Sequence, residues 1–386
     1  MIGSAGWTAH TRNGRIADIE VLRGWAIIWV VIWHLHFAHD LFPLFQTPIT
    51  PYLRLGVGVD LFFVISGFVI SRSLLPLMDK AQDFPSRLRV SYSFWIRRIS
   101  RLFPAAWLWL AVVVFCSLLF PQTGYWINSQ NLSETAVSVI FQFMNYHIGR
   151  HIEDVGPAAI YWSLSLEEQF YIILPVILLV NSTRKFLVSV LLFVIVIQIF
   201  FDRSFQAIWF RSEGLALGVL LGVLREHSVY EKIEPRFLER PFFRNIVVGA
   251  IAFAIVTVNA SPVREAIGFS YSSGLNFVAL FCAVLVFFAS YDRNYIERPG
   301  RWRDIIIWTG ARSYAMYLCH LPVIYLCLGL TKAVGMDVLN RPAHKFVTVF
   351  FIILAIIIAA DFTYRRIERP LRKTGVRRAK AVLRAD

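Results

Sequence analysis

Over 386 residues the chain is 57% hydrophobic and only 17% charged, with a mean hydropathy of +0.58, which excludes a soluble fold with a wet surface. Its formal net charge of +14 would suit a nucleic-acid partner, but the cations are spread in a way that a membrane explains better. The four cysteines, Cys116, Cys282, Cys319 and Cys327, lie in apolar runs with no CxxC or Cys/His spacing, which predicts neither a disulfide nor a metal.

In chain order, the first 20 residues are polar and lack an apolar core ending in a small-residue site, so no cleavable signal peptide is expected. Ten apolar runs follow, centred near 22–38, 57–78, 103–120, 165–181, 186–201, 207–224, 244–260, 273–290, 305–330 and 345–363. Most approach the roughly 20 residues a helix needs to cross a bilayer. The expected fold class is all-α, a polytopic transmembrane bundle of about ten spans. Between the third and fourth runs, Ala136 to Met144 is apolar but too short to cross, and reads as an interfacial or re-entrant helix. Three strings, LERP at Leu238, IERP at Ile296 and IERP at Ile367, read as helix boundaries set by proline.

Charge placement gives an orientation. With a cytoplasmic amino terminus, one set of flanking segments holds 29 Lys and Arg and the opposite set holds 7. That bias predicts both termini in the cytoplasm, and it accounts for the basic balance through contact with anionic lipid headgroups, with no nucleic acid. Residues 1–370 read as one integral membrane domain and 371–386 as a basic cytoplasmic tail.

The first run, Val21 to Phe37, carries Arg23 and His34. Eleven steps of about 100° bring both onto one helix face, roughly 16 Å apart along the axis. A charged side chain in hydrocarbon costs roughly 2.5–3.5 kcal/mol, so such residues point to function. His36 and His39 fall at other angles or beyond the run and read as interfacial. On the predicted topology, His34, Asp60, Glu167, Glu168, Arg211, Glu213 and His320 lie towards the outer leaflet, whereas Arg23, Arg72, Arg97, Arg98 and Arg101 lie towards the inner one. Guanidinium is the preferred group for phosphate, so the inner set suits an anionic ligand. A neutral imidazole near its own pKa suits removal of a hydroxyl proton, which makes His34 the candidate base. Glu167 is the first candidate to orient it and Asp60 the second. The glycines Gly214, Gly218 and Gly222 form a small-residue ladder for close helix contact.

The strings LRGWAIIWVVIWH (Leu22 to His34), GVDLFFVISGFVI (Gly58 to Ile70), FWIRRISRLFP (Phe94 to Pro104), YWSLSLEEQFYIILP (Tyr161 to Pro175), FRSEGLALGVLLG (Phe210 to Gly222) and SYAMYLCHLP (Ser313 to Pro322) occur in that order. Together they resemble the acyltransferase 3 family of integral membrane O-acyltransferases, over nearly the whole chain. The resemblance implies a multi-pass protein of the bacterial cytoplasmic membrane that moves an acyl group, often acetyl, from cytoplasmic acyl-CoA to a hydroxyl of a sugar, glycan or other acceptor. It places the family's arginine and histidine at Arg23 and His34, its RxxR pattern at Arg98 and Arg101, and the acidic residue of its WSLxxE string at Glu167. Acetyl-CoA or another acyl-CoA is then the donor, held by Arg23, Arg72, Arg97, Arg98 and Arg101, with Trp162, Ser163, Arg211, Glu213 and His320 towards the acceptor and no metal. The family's usual aspartate is Glu20 here. Some relatives carry a hydrolase-like domain after the last span; only a basic segment of 22 residues follows Tyr364, so a second transfer step is expected to fall to a separate protein. Buried histidines, carboxylates and arginines would also suit a proton-coupled transporter of a sugar or organic anion, the alternative reading.

Overall fold

A bilayer offers backbone amides no water, so a spanning segment must close its hydrogen bonds within itself, and a run of some 20 apolar residues does so as a helix. The computed structural model describes residues 16–37, 48–121, 124–333 and 342–384, and among them every regular element is helical. The α-helices are α1 (Ala17–Phe37), α2 (Gly58–Lys80), α3 (Phe84–Leu119), α4 (Leu132–Ile140), α5 (Met144–His151), α6 (Tyr161–Val180), α7 (Arg184–Phe200) and α8 (Glu213–Arg225). They continue as α9 (Val229–Lys232), α10 (Pro241–Thr257), α11 (Ser261–Ile267), α12 (Tyr271–Ser290), α13 (Arg301–Ala311), α14 (Ser313–Ala333), α15 (Pro342–Thr363) and α16 (Arg369–Arg384).

Among the described residues, eight helices are long and apolar enough to cross a membrane, and nine if the pair α10 and α11, bent by 95°, makes one broken span. Each of the ten apolar runs overlaps a helix, and the ninth, near 305–330, is divided at Arg312 between α13 and α14. The fifth run is α7, whose 17 residues sit at the lower limit for a span. The short apolar stretch after α3 forms the two short helices α4 and α5.

Two compact units emerge. The first comprises Met1–Val30, Pro51–Ser71 and Glu213–Ser313. Its core joins Leu22, Ala26, Leu61, Ile65, Phe68, Val278 and Leu285. Glycine lets its backbones touch: a Cβ on Gly67 would lie 2.1 Å from the carbonyl oxygen of Leu215, and one on Gly218 would lie 2.2 Å from that of Val64. Gly310 meets Glu20 in the same way, at 1.9 Å. The approach at Gly218 is the close contact expected of the ladder in α8, and a Cβ on Gly214 would lie 3.1 Å from the Phe63 side chain. At the start of α1, Asp18 accepts hydrogen bonds from Arg303 and from the Tyr295 amide, both at 3.0 Å, and so ties three segments.

The second unit comprises Val31–Thr50, Arg72–Ser212 and Tyr314–Asp386. The 36-residue α3 runs through it, opened by a capping box in which Asp83 and Ser86 satisfy each other's backbone amides. Those serine bonds hold the Asp83 carboxyl below its usual range. The basic tail is a helix, α16, packed along α3, with Gly375 against the Ser100 side chain and Ala379 fully buried. Proline at 370 does not end the preceding helix as the IERP string predicts. A π-helical turn, Tyr364–Glu368, re-spaces the ladder just before a residue with no N–H to donate, and α16 carries on.

A Cβ at position 218 has backbone on all sides and nowhere to go, whereas one at Gly249 meets nothing within 4 Å. Gly218→Ala is therefore expected to cost about 1–3 kcal/mol, as overpacked cores do. Thermal melting of purified protein checks this, with Gly249→Ala expected to melt at or above the wild-type temperature.

Candidate functional site

The second unit gathers most of the chemistry. Helix α6 carries Trp162, Ser163, Glu167, Glu168 and Tyr171, and Pro175 interrupts its hydrogen-bond ladder. A proline at 175 has no N–H for the carbonyl of Tyr171, four residues earlier. The indole Nε1 of Trp95, on α3, donates to that carbonyl at 3.0 Å and removes the orphan. Two tyrosine hydroxyls fix α3 around its own Pro104: Tyr161 donates to Ala106 O at 2.8 Å and Tyr314 to Leu102 O at 2.6 Å.

Those bonds set α6 against the arginines of α3. The Arg98 guanidinium lies over the rings of Tyr171 (5.0 Å) and Phe94 (5.3 Å), and its charged neighbours are Arg101, Glu167 and Glu168. The Tyr171 hydroxyl donates to Glu167. Arg97 donates to Ser93 Oγ at 2.8 Å, on its own helix. Arg72 is half-buried in α2 and belongs to the same unit.

His34 meets a second histidine. Its Nδ1 lies 3.2 Å from Nε2 of His320, and the ring centroids are 4.9 Å apart. His320 is fully buried, and its Nδ1 lies 2.7 Å from the carbonyl oxygen of Tyr317 and 3.2 Å from that of Met316. A carbonyl only accepts, so Nδ1 of His320 carries the proton, and in the neutral ring Nε2 is then an acceptor. The proton between the rings therefore belongs to Nδ1 of His34. In a neutral His34 this leaves Nε2 unprotonated, with a lone pair able to take a proton.

The Tyr317 side chain extends the chain of contacts. Its hydroxyl lies 2.7 Å from Ser163 Oγ and donates to Ile160 O at 3.1 Å, and its ring lies 5.6 Å from that of His320. Elsewhere on α6, Arg211 sits 4.4 Å over the Trp162 ring, which meets Trp209 edge-on at 5.1 Å. Arg211 is buried there.

Three sequence-derived candidates belong to the first unit. Arg23 pairs with Glu20 at 3.3 Å, one turn earlier on α1. Asp60 is buried in the first turn of α2, and Glu213 is buried in the first turn of α8, where a carboxylate is favoured by the helix dipole. His36 is half-buried, and His39 lies outside the described residues. Two residues that the sequence reading did not single out, Tyr317 and Tyr171, take central places. Both were marked by spacing: Tyr317 precedes His320 by three positions and Tyr171 follows Glu167 by four, each pair on one helix face.

The family described as an acyltransferase domain, Acyl_transf_3, matches residues 16–362. The chain belongs to that acyltransferase family. This family member, with its many apolar helices, is a multi-pass membrane protein of bacterial type. It is 28% identical to the peptidoglycan O-acetyltransferase OatA of Listeria monocytogenes, over 95% of its own length and 57% of that protein. It is 27% identical to YrhL of Bacillus subtilis, a candidate peptidoglycan O-acetyltransferase, over 96% of the chain and 56% of YrhL. A candidate O-acetyltransferase of Staphylococcus aureus is 26% identical, over 98% of the chain and 60% of that protein. The chain thus spans a little over half the length of the curated relatives it matches. No solved structure matches it.

Removing the indole N–H should expose how far α6 depends on Trp95. Trp95→Phe removes the bond from Trp95 Nε1 to the buried Tyr171 carbonyl, with an expected loss of about 1–3 kcal/mol. Chemical denaturation of the detergent-purified acyltransferase reads this directly, and an unchanged midpoint contradicts it.

Proposed function

We propose that this acyltransferase moves an acyl group, acetyl in the first instance, from acyl-CoA to a hydroxyl of a glycan, with His34 as general base. The observation that carries the reading is the pair of histidines, in which His320 favours the His34 tautomer with an unprotonated Nε2. The acceptor oxygen attacks the thioester carbonyl as its proton passes to Nε2 of His34. The tetrahedral intermediate then collapses, the C–S bond breaks, and the imidazolium returns its proton to the departing thiolate. His320 is a positioning residue. It holds the ring and takes part in stabilising the charge that develops there, a task first assigned to Glu167 or Asp60 on sequence grounds.

The remaining residues take roles by their chemistry. Arg98 and Arg101, one turn apart on α3, suit the phosphates of the donor, with Arg97 beside them and Arg72, in the same unit, assigned to the pantetheine arm. Ser163 and Tyr317 offer hydroxyls near the histidine pair, and Trp162 with Arg211 offers an aromatic face and a cation, the means by which sugar rings and their substituents are bound. The charge bias of the flanking segments supports a donor entering from the cytoplasm and an acceptor on the outer side. Names of the relatives point to peptidoglycan as the acceptor.

Purified acyltransferase given labelled acetyl-CoA and glycan fragments is expected to release thiol and form acetyl esters. His34→Ala should lower turnover by about 10²–10⁴-fold while membrane insertion is kept, the range that loss of a general base usually brings. His320→Ala should lower kcat at unchanged KM for acetyl-CoA, and His320→Gln, which retains an acceptor for the His34 N–H, should restore part of it. Near wild-type transfer by His34→Ala overturns the assignment. Solute counterflow without thiol release would instead favour a transporter.

For the donor site the expected signature is different. Arg101→Gln should raise KM for acetyl-CoA by about tenfold or more at low salt with little change in kcat, since each charge-assisted bond contributes roughly 1.5–3 kcal/mol. Titration of rate against donor concentration checks it; a fall in kcat alone would place Arg101 elsewhere in the cycle.

A further inference from the structure

Away from the histidine pair, the two short helices after α3 bring together three groups that the proposed transfer does not use. His147 and His151 stand four positions apart on α5, so their rings project from one face, with centroids 4.9 Å apart and planes 30° from parallel. From α4, Glu134 reaches the same place. One ligand atom from each of the three lies within 4.8 Å of the other two.

Two imidazoles and a carboxylate are the donor set of a borderline divalent metal. Bonds of about 2.0–2.2 Å to zinc put tetrahedral donors roughly 3.3–3.5 Å apart, so closure asks for side-chain rotation only. Glu134 is exposed and His151 half-exposed, so both have room to turn. His147 is buried, and its Nε2 already lies 3.1 Å from the Thr135 hydroxyl. One ring nitrogen held by an oxygen and the other left for a ligand is the outer-shell arrangement that metal-bound histidines use.

The backbone under the cluster is well fixed. The Met144 amide donates to Ser165 Oγ at 3.1 Å, Gln169 exchanges hydrogen bonds with Asn145 at 2.9 and 3.1 Å, and Gln169 also donates to Gln142 O at 2.8 Å. Helix α5 is thereby fastened to α6, the helix that carries Ser163 and Glu167. On α4, by contrast, Thr135 and Glu134 present side chains towards α5 from a helix of nine residues. A cation shared by Glu134 and the two histidines would clamp α4 to α5.

We propose that Glu134, His147 and His151 form a binding site for a single divalent transition-metal ion of the zinc class, which locks α4 onto α5. Three protein ligands leave one position for water, so the site is open in the coordination sense. The spacing E-x12-H-x3-H contains no cysteine, which is why a search by cysteine pattern passes over it.

The test uses the untagged full-length acyltransferase in detergent, stripped with a chelator and titrated with Co²⁺ and then Zn²⁺. The expected result is one equivalent of Co²⁺ with a visible d–d band, displaced by Zn²⁺, and a melting temperature raised by Zn²⁺. Glu134→Gln and His151→Ala, both at accessible positions, should each weaken binding by about tenfold or more, since even an outer-shell change brings 10–100-fold, and should abolish the Zn²⁺-dependent rise in melting temperature. His227→Ala, an exposed histidine outside the cluster, should change neither. Wild-type affinity no tighter than that of the Glu134→Gln, His151→Ala double variant, or equal loss in His227→Ala, overturns the site. Both readouts are independent of acyl transfer, so failure here leaves the proposed reaction untouched, and failure of that reaction leaves the metal site standing.

Discussion

A polar group buried among apolar helices has no water to turn to, and it is costly unless another part of the chain meets it. That constraint selects the contacts that position the site. Proline 175 strands a carbonyl, and Trp95 answers it. The hydroxyls of Tyr161 and Tyr314 are spent on carbonyls of α3 on either side of Pro104. His320, fully buried, is satisfied on one side by the Tyr317 and Met316 carbonyls and on the other by His34. Each of these bonds fixes a side chain in one geometry, and the last of them decides which nitrogen of His34 holds a lone pair.

The same constraint divides the second unit by chemistry. Along α3 and α6, guanidinium groups lie against aromatic rings and carboxylates, with Arg98 over Tyr171 and Phe94. Along α14 and the end of α1, imidazoles meet hydroxyls and carbonyls, in a run of contacts from Ser163 through Tyr317 and His320 to His34. An anionic donor and a neutral hydroxyl acceptor need those two different environments. In the proposed reaction the fold supplies both within one unit.

Much of this was legible in the sequence because hydrophobic runs and charge placement are strong signals. The ten apolar runs mark helices, the glycines of α8 mark close backbone contact, and six ordered strings mark the family. The partner of His34 was harder to read. His320 is 286 positions away, and no periodicity within α1 points to it, whereas Glu167 carried a more familiar chemistry for orienting an imidazole. Tyr171 stands beside Glu167 for a local reason, the i,i+4 spacing, that a search for titratable residues overlooks. The course of the chain past Pro370 was also illegible, since a π-helical turn depends on packing and not on composition.

The central claim is the protonation pattern of the histidine pair, and ¹⁵N nuclear magnetic resonance of histidine-labelled protein in bilayers measures it most directly. Signals assigned with His34→Asn and His320→Asn variants are predicted to show a protonated Nδ1 and a bare Nε2 on both rings at neutral pH. A proton on Nε2 of His34 in the neutral ring would contradict the account, because the nitrogen assigned to accept the acceptor's proton would already hold one.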